Sequence, residues 1–566
     1  VEGLLSSAPA RAPPHGFRPG LQRRSRMPRR RQSGASLCCG HWRLLLLSAL
    51  VLLPLWRLRR ELLVLFGGGA LRPGPGQGLD GGVLAEAQGR DVREGPIPSS
   101  RAESGTASPG GLRAESQSRR EAGDGPGVLA RIRKGGLGRI PLGSAGQRGV
   151  YFHVWSAAPV LRQNGSSVPQ LALVGGLRGG GSSEAALEGR HFARLASGAT
   201  SEFQKFTGLT YRSSVAWFAA LPAADFAAWV DRRLQSSCLA FQVLDGGGQA
   251  AASMEGCHNP SLLPPPERPH NFTLCYATPP FLEQGRPERS AFLALPLSLL
   301  YHARHGVGHA VVYLGPQHRE LASRLLKPFT DRGLASIIFV DDSTTDEIYQ
   351  QIVNQNDCMN RFKGLTRLYR GMDVDELMYS TTWRGDPTWA ASGASIFGIV
   401  EPLLRSDFDF IYMRHYNWAR PADVFQKLLT DTAARTKDFA RTLPKSIVNP
   451  ERVAVDWVHE PVNCFGRPCV FGTVGGGQLE YAHVRAPPPG GPRPECAPRR
   501  EKEFLLPPEC AQPDVPDPLF LAESGLLRPQ LCAWLGEVGL GCNPIDWLPA
   551  SPREKNQPDH RPQSGG

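Results

Sequence analysis

At 566 residues the chain is too long for one ordinary domain, and about 150 residues per domain gives a prior of between three and four. Hydrophobic residues make up 41%, enough for at least one sizeable core, whereas 63 glycines and 51 prolines imply that part of the chain is linker. The net charge of +12 is concentrated: residues 1–66 hold twelve arginines and no lysine against Glu2 and Glu61, which accounts for ten of the twelve charges. The basic balance describes one short end, so a nucleic-acid-binding surface loses its main support.

Residues 1–40 read as a basic cytosolic head. The chain opens with Val1, and Met27 stands in the basic stretch Arg26-Met-Pro-Arg-Arg-Arg31, so Met27 is the expected initiator and 1–26 an expected gene-model artefact. The apolar run Leu44 to Trp56 is 13 residues long, short of the roughly 20 that a bilayer core needs. A second patch, Leu62 to Phe66, follows Arg57, Arg59 and Arg60. With basic residues before it and no small-residue cleavage site after Trp56, the segment 41–66 reads as a signal-anchor rather than a cleaved signal peptide. Cys38 and Cys39 are candidates for palmitoylation. Residues 67–148 contain no Phe, Trp, Tyr or Cys and cannot bury enough apolar surface to offset their ordering entropy; they read as a disordered stem. Head, anchor and stem together describe a single-pass type II membrane protein whose working part is held away from a lumenal membrane face.

Ten further cysteines follow: Cys238, Cys257, Cys275, Cys358, Cys464, Cys469, Cys496, Cys510, Cys532 and Cys542. The even count suits disulfides in an oxidising compartment, and the absence of a CxxC pair argues against structural zinc. Sequons at Asn164-Gly-Ser166 and Asn271-Phe-Thr273 fit the same address.

Residues 149–270 alternate short strand-like runs, such as Val150 to Trp155, with Gly-rich turns, and predict a smaller β-rich module. From 271 to 545 strands and helices alternate. Ala310 to Leu314 and Ser336 to Val340 read as strands. Thr344 and Glu347 form a capping box opening a helix with Ile348, Ile352 and Met359 on one face, ending near Gly364. Leu365 to Met372 reads as a third strand. The fold class is α/β with a mostly parallel central sheet and its ligand site at the carboxyl ends of the strands. Residues 546–566 read as a disordered tail.

The third strand runs into Asp373-Val-Asp-Glu376. In a strand-to-loop setting Asp-x-Asp presents two carboxylates to one side, which suits a hard divalent cation clamping a diphosphate. A nucleotide-sugar transferase needs that chemistry, because the departing nucleoside diphosphate develops negative charge.

Five ordered blocks carry a family resemblance: Tyr301 to Leu314, Gln355-Asn-Asp-Cys-Met-Asn-Arg361, Asp373 to Glu376, Lys445-Ser-Ile-Val-Asn-Pro450 with His459, and Tyr481-Ala-His-Val-Arg485. Their order and spacing over residues 150–485 resemble glycosyltransferase family 92. The resemblance implies a GT-A type catalytic domain and an inverting, metal-dependent β-galactosyltransferase. Its donor would be UDP-galactose, its cation Mn²⁺ or another divalent metal, and its acceptor a terminal galactose or fucose of a glycan in β1,4 linkage. It implies Asp373, Asp375 and Glu376 as catalytic residues, with Asp373, Asp375 and His483 toward the metal and diphosphate. Asn356, Asp357, Lys445 and His459 are implied near the nucleotide sugar. Inversion also needs a carboxylate base, for which Asp456 and Glu460 are the candidates.

Two features depart from the family pattern. Arg367, Arg370 and Gly371 are expected to weaken a buried central strand, and Pro487 to Pro494 is an unusual Pro-rich run. They keep open a divergent or poorly active enzyme; the alternative function is an inactive member acting as a lumenal glycan-binding or scaffold protein. Trp217, Trp383, Trp418 and Trp457 are expected mostly in the core.

Overall fold

The computed structural model describes residues 127–548, apart from 143–148, 164–166, 180–187, 209–213, 278–289, 316–318, 342–346, 386–387, 393–394, 405–406, 422, 438–439, 474–477, 487–512 and 514. The head, the anchor, most of the stem, the Asn164 sequon, the 344–347 capping box, Cys496, Cys510, the Pro-rich run and most of the tail lie outside the described residues. Among the described residues no helix is long and apolar enough to cross a membrane.

The described chain opens with β1 (Val128–Ile132) and β2 (Gly138–Pro141). Then come β3 (Tyr151–Gln163), β4 (Ser167–Arg178), β5 (Phe192–Leu195), β6 (Thr200–Glu202), β7 (Gln204–Thr207), β8 (Ser214–Ala220), helix α1 (Ala223–Trp229), β9 (Ser237–Leu244) and β10 (Ala250–His258). Sheet β2-β3-β4-β8-β7 faces sheet β10-β9-β5-β6 in a sandwich. Alternation builds its core: Phe152, Val154, Leu173 and Trp217 from one sheet meet Leu239, Phe241, Val243 and Met254 from the other. Cys238 and Cys257, directly opposite in the β9–β10 ladder, are disulfide-bonded.

The second layer system contains β11 (His270–Tyr276), α2 (Leu295–Arg304), β12 (His309–Leu314), α3 (Arg319–Thr330), β13 (Ala335–Val340), α4 (Glu347–Arg361), β14 (Thr366–Gly371) and β15 (Glu376–Ser380). It continues through α5 (Trp389–Ser392), α6 (Ile396–Leu404), β16 (Phe410–Ala419), β17 (Ala434–Arg435), β18 (Ala440–Val448), β19 (Val455–Asp456), β20 (Pro461–Asn463), β21 (Phe471–Thr473), β22 (Leu479–Ala486), β23 (Val515–Pro516) and α7 (Leu519–Gly536). The sheet runs β1-β13-β12-β11-β14-β18-β16-β17-β23, with β21 and β22 beside β16 and β15 beside β22. One face packs α2, α3 and α7 through Leu299, Leu325 and Leu531; the other packs α4 through Val353, Cys358 and Met359.

Helix α4 lies between this sheet and the sandwich. Trp155 Nε1 donates to Asn354 Oδ1 at 2.9 Å, and Ser156 Oγ donates to Asp357 Oδ1 at 2.5 Å. The turn after the helix closes at Gly364, where φ is +77° and a Cβ would stand 2.0 Å from the Leu161 carbonyl oxygen. Only glycine fits there.

Four sequence expectations are corrected. The stem does not extend to residue 148: Val128–Ile132 pairs in parallel with β13, its Val128, Leu129, Ala130 and Ile132 are buried, and β2 belongs to the sandwich. The sheet is mixed. Only β1, β13, β12, β11 and β14 form a continuous parallel half, and β18 joins it antiparallel. Disulfides also join Cys464 to Cys469 and Cys532 to Cys542, whereas Cys275 and Cys358 are buried thiols. The third strand, finally, forms with its arginine inside: Arg370 is fully buried, and its Nη1 donates to the Ser446 carbonyl at 2.8 Å. Gly371 lets Gln355 approach, since a Cβ would meet Gln355 Cδ at 2.6 Å. Trp217, Trp383 and Trp418 are buried as expected; Trp457 is partly exposed.

Candidate active site

The acidic turn begins where the parallel half ends. Met372 N makes a last bond to the Cys275 carbonyl at 2.9 Å, and the chain reverses with Glu376 N donating to the Asp373 carbonyl at 3.1 Å. Glu376 Oε2 accepts from Asp373 N at 3.1 Å, so this carboxylate closes the turn it belongs to. It is 1% exposed.

Strand β15 then pairs with β22, placing Glu376 opposite His483. Val484 N donates to the Asp375 carbonyl at 2.9 Å. Antiparallel alternation therefore directs the N–H and C=O of Met378 away from β22. Helix α2 takes both: Met378 N donates to His302 Nε2 at 3.3 Å, and Tyr301 Oη donates to the Met378 carbonyl at 2.7 Å. His302 Nδ1 lies 2.8 Å from the Ser298 carbonyl and must donate there, which leaves Nε2 as acceptor. Burial, pushing the imidazole down to about 3, keeps it in that neutral form. Replacing His302 with Leu is expected to strand the Met378 N–H and cost about 1–3 kcal/mol, read by chemical denaturation.

Lys445, 4% exposed on β18, points into the turn. Its Nζ is 3.1 Å from Glu376 Oε1 and 3.6 Å from Asp373 Oδ2. Gln351 Nε2 donates to Asp373 Oδ1 at 3.1 Å. Burial raises the Glu376 carboxyl above its usual range, while Lys445 pulls it back and Asp373 pushes it further up. Asp373 and Glu376 are thus engaged by a lysine. Asp375 Oδ1 lies 3.8 Å from His483 Nε2. That is too long for a hydrogen bond. The gap and the donor set fit two ligands sharing one divalent cation, each at about 2.0–2.2 Å, with its remaining positions left for phosphate oxygens and water.

The other expected residues divide. Asn356 is 1% exposed and serves the backbone: its amide donates to the carbonyls of Ile352 and Asp456 at 2.9 and 2.7 Å, and its Oδ1 accepts from Asp456 N at 2.8 Å. Asp357 is fully buried away from the turn, its carboxylate taken by Ser156, Tyr313 at 2.6 Å and Arg361 at 2.8 Å. It lies six residues beyond Gln351, about 9 Å along the helix, so its charge secures the sandwich and not the acidic turn. His459 is partly exposed and packs edge-on against Trp457 at 4.8 Å.

The two candidate bases also differ. Asp456 is fully buried, with Gln355 Nε2 at 2.6 Å from Oδ2 and Trp457 N at 3.0 Å from Oδ1. Glu460 is partly exposed and accepts the Tyr412 hydroxyl on Oε2. Burial pushes Asp456 up to about 6 from 3.8. The folded chain therefore holds a proton that the unfolded chain releases, and this group's contribution to stability falls as pH rises from about 4 through 6. Full ionisation corresponds to roughly 3 kcal/mol. Thermal melts from pH 4 to 7.5 are expected to show that fall in the wild type and a flatter profile in Asp456→Asn.

Reading the sequence did not find Gln351, and it met Gln355 only as the first residue of a motif block and Arg370 only as a departure from the family pattern. The four-residue spacing of the two glutamines on α4 was the one signal for Gln351. Residues 288–488 match the profile of Glycosyltransferase family 92. No curated protein matches the chain.

Proposed function

Because the chain carries a glycosyltransferase family 92 domain over residues 288–488, we propose that it is an inverting, UDP-galactose-dependent β-galactosyltransferase of GT-A type, acting on a glycan acceptor in the Golgi lumen. The observation that carries the reading is the facing of Asp375 and His483 at 3.8 Å beside the acidic turn. With His483 neutral, Asp373, Asp375, Glu376 and Lys445 sum to two negative charges, which complements a divalent cation. Asp375 and His483 would hold Mn²⁺, which when bound supplies electrostatic stabilisation of the leaving diphosphate. Glu376 and Gln351 fix the turn, and Lys445 stands beside it as a second positive group for phosphate. Disulfides at Cys238–Cys257, Cys464–Cys469 and Cys532–Cys542 support an oxidising compartment. The terminal galactose or fucose acceptor and the β1,4 linkage belong to the same proposal.

One observation favours the inactive alternative: Lys445 already neutralises part of the acidic turn. Incubating the full chain with UDP-galactose, Mn²⁺ and galactose- or fucose-terminated glycans separates the two. Galactosyl transfer is expected. Neither transfer nor donor hydrolysis would leave the glycan-binding or scaffold reading.

A further inference from the structure

We propose that the β19–β20 hairpin, together with Tyr412 and Phe471, forms the subsite for the terminal sugar of the acceptor, with Glu460 as the general base; the proposal rests on the transferase reading above. The first argument is position. Gln355 Nε2 donates to Asp456 Oδ2 at 2.6 Å and to the Trp457 carbonyl at 2.9 Å, while Gln351, four residues earlier on α4, holds Asp373. The residues that hold the turn and the hairpin are thereby about 6 Å apart along one helix, which sets the two side by side as an acceptor beside a donor requires.

The second argument is the surface. Trp457 N donates to the Glu460 carbonyl at 3.0 Å and closes the hairpin, leaving Trp457 and Glu460 both partly exposed at its tip. Tyr412, whose hydroxyl reaches Glu460, packs on Phe471 at 5.1 Å between ring centroids. Phe471 is 56% exposed, the most exposed large hydrophobic among the described residues. The loop before it is braced by the Cys464–Cys469 disulfide and by Arg467, whose two Nη atoms each reach an Asp409 oxygen at 2.6 Å. An aromatic face held rigidly beside a carboxylate suits a sugar, which offers an apolar C–H face and hydroxyls together.

The third argument separates the two carboxylates. Both Asp456 oxygens are bonded within a fully buried site. Glu460 accepts Tyr412 on Oε2, and Oε1 has no hydrogen bond among the described residues. In the step assigned to it, Glu460 takes the proton of the acceptor hydroxyl. That oxygen forms the new bond to the anomeric carbon, and the bond from that carbon to the diphosphate oxygen breaks with its electron pair leaving on UDP.

The test measures transfer kinetics and, by calorimetry, UDP-galactose binding with Mn²⁺ in the full chain. Phe471→Ala and Trp457→Ala are expected to raise acceptor KM at least ~5-fold with donor Kd unchanged, and Phe471→Trp to restore it. Glu460→Gln is expected to lower kcat at least ~100-fold while donor Kd stays within about twofold. Unchanged acceptor KM in both alanine variants, or unchanged kcat in Glu460→Gln, overturns the subsite while a transferring wild type leaves the transferase reading standing. A wild type that neither binds donor nor transfers overturns both. If Phe471→Ala instead changes the sedimenting mass at constant acceptor KM, the patch joins two copies of the chain and the proposal falls.

Discussion

Replacing Asp375 with Asn is expected to lower galactosyl transfer at least ~100-fold, about 2.7 kcal/mol on the barrier. The substitution preserves size and removes a full negative charge facing His483 across 3.8 Å. Charge-assisted contacts exceed neutral ones, and on the proposed reading this one would act where charge develops on the leaving group. The fold is expected to survive. Asp375 is partly exposed, and the turn is closed by Glu376 and by the Asp375 backbone carbonyl, which asparagine keeps. In the absence of metal the melting temperature is expected to hold or rise, because Asp373, Asp375 and Glu376 repel one another. Near-wild-type transfer with the same Mn²⁺ dependence in Asp375→Asn would contradict the assignment.

Lys445→Met is expected to damage stability most. The ammonium is buried between Glu376 Oε1 and Asp373 Oδ2, and removing one partner of a buried pair costs about 3–5 kcal/mol. The loss depends on pH with a definite sign. The folded Glu376 carboxyl already lies above its usual range because of burial, and loss of Lys445 removes a cation that restrains it. A group raised in the folded state loses stability as pH rises through its folded value. The deficit relative to wild type is therefore expected to be large at pH 7.5 and smaller at pH 4.5, where protonation of Glu376 relieves it. Denaturation midpoints at the two pH values check this; an equal deficit at both would remove Glu376 from the account.

Much of the parallel half was legible because its strands are continuous apolar runs ending at polar turns. Ala310 to Leu314 and Ser336 to Val340 fall inside β12 and β13. The acidic turn, Lys445 and His483 are likewise brought together as their motif blocks implied. Asp357 went elsewhere, and Asn356 to the Asp456 backbone, for a reason no motif encodes. A helix has two sides, and the sequence of α4 does not say which one the acidic turn meets. Gln351 and Gln355 turn toward Asp373 and Asp456, whereas Asn354, Asp357 and Arg361 share the side buried toward the sandwich. Arg370 misled in another way. Strand propensity counts a charged residue against a central position, but tertiary placement gave it Ser446 and a neighbourhood of carboxylates.

Strand β1 has a practical consequence for anyone dividing this chain. A composition-based cut at residue 149 would discard Val128–Ile132 and lay bare the outer margin of β13, whose Ile337 and Asp341 amides donate to the Gly127 and Ile132 carbonyls at 2.8 Å each. The same cut would free Asn259 N, which donates to the Leu129 carbonyl at 2.6 Å. A sheet margin so opened, lined by buried Ile337, Phe339 and Val340, is a template for recruiting foreign strands. The smallest fragment that keeps this margin closed begins before Gly127, inside sequence that composition alone assigns to the tether.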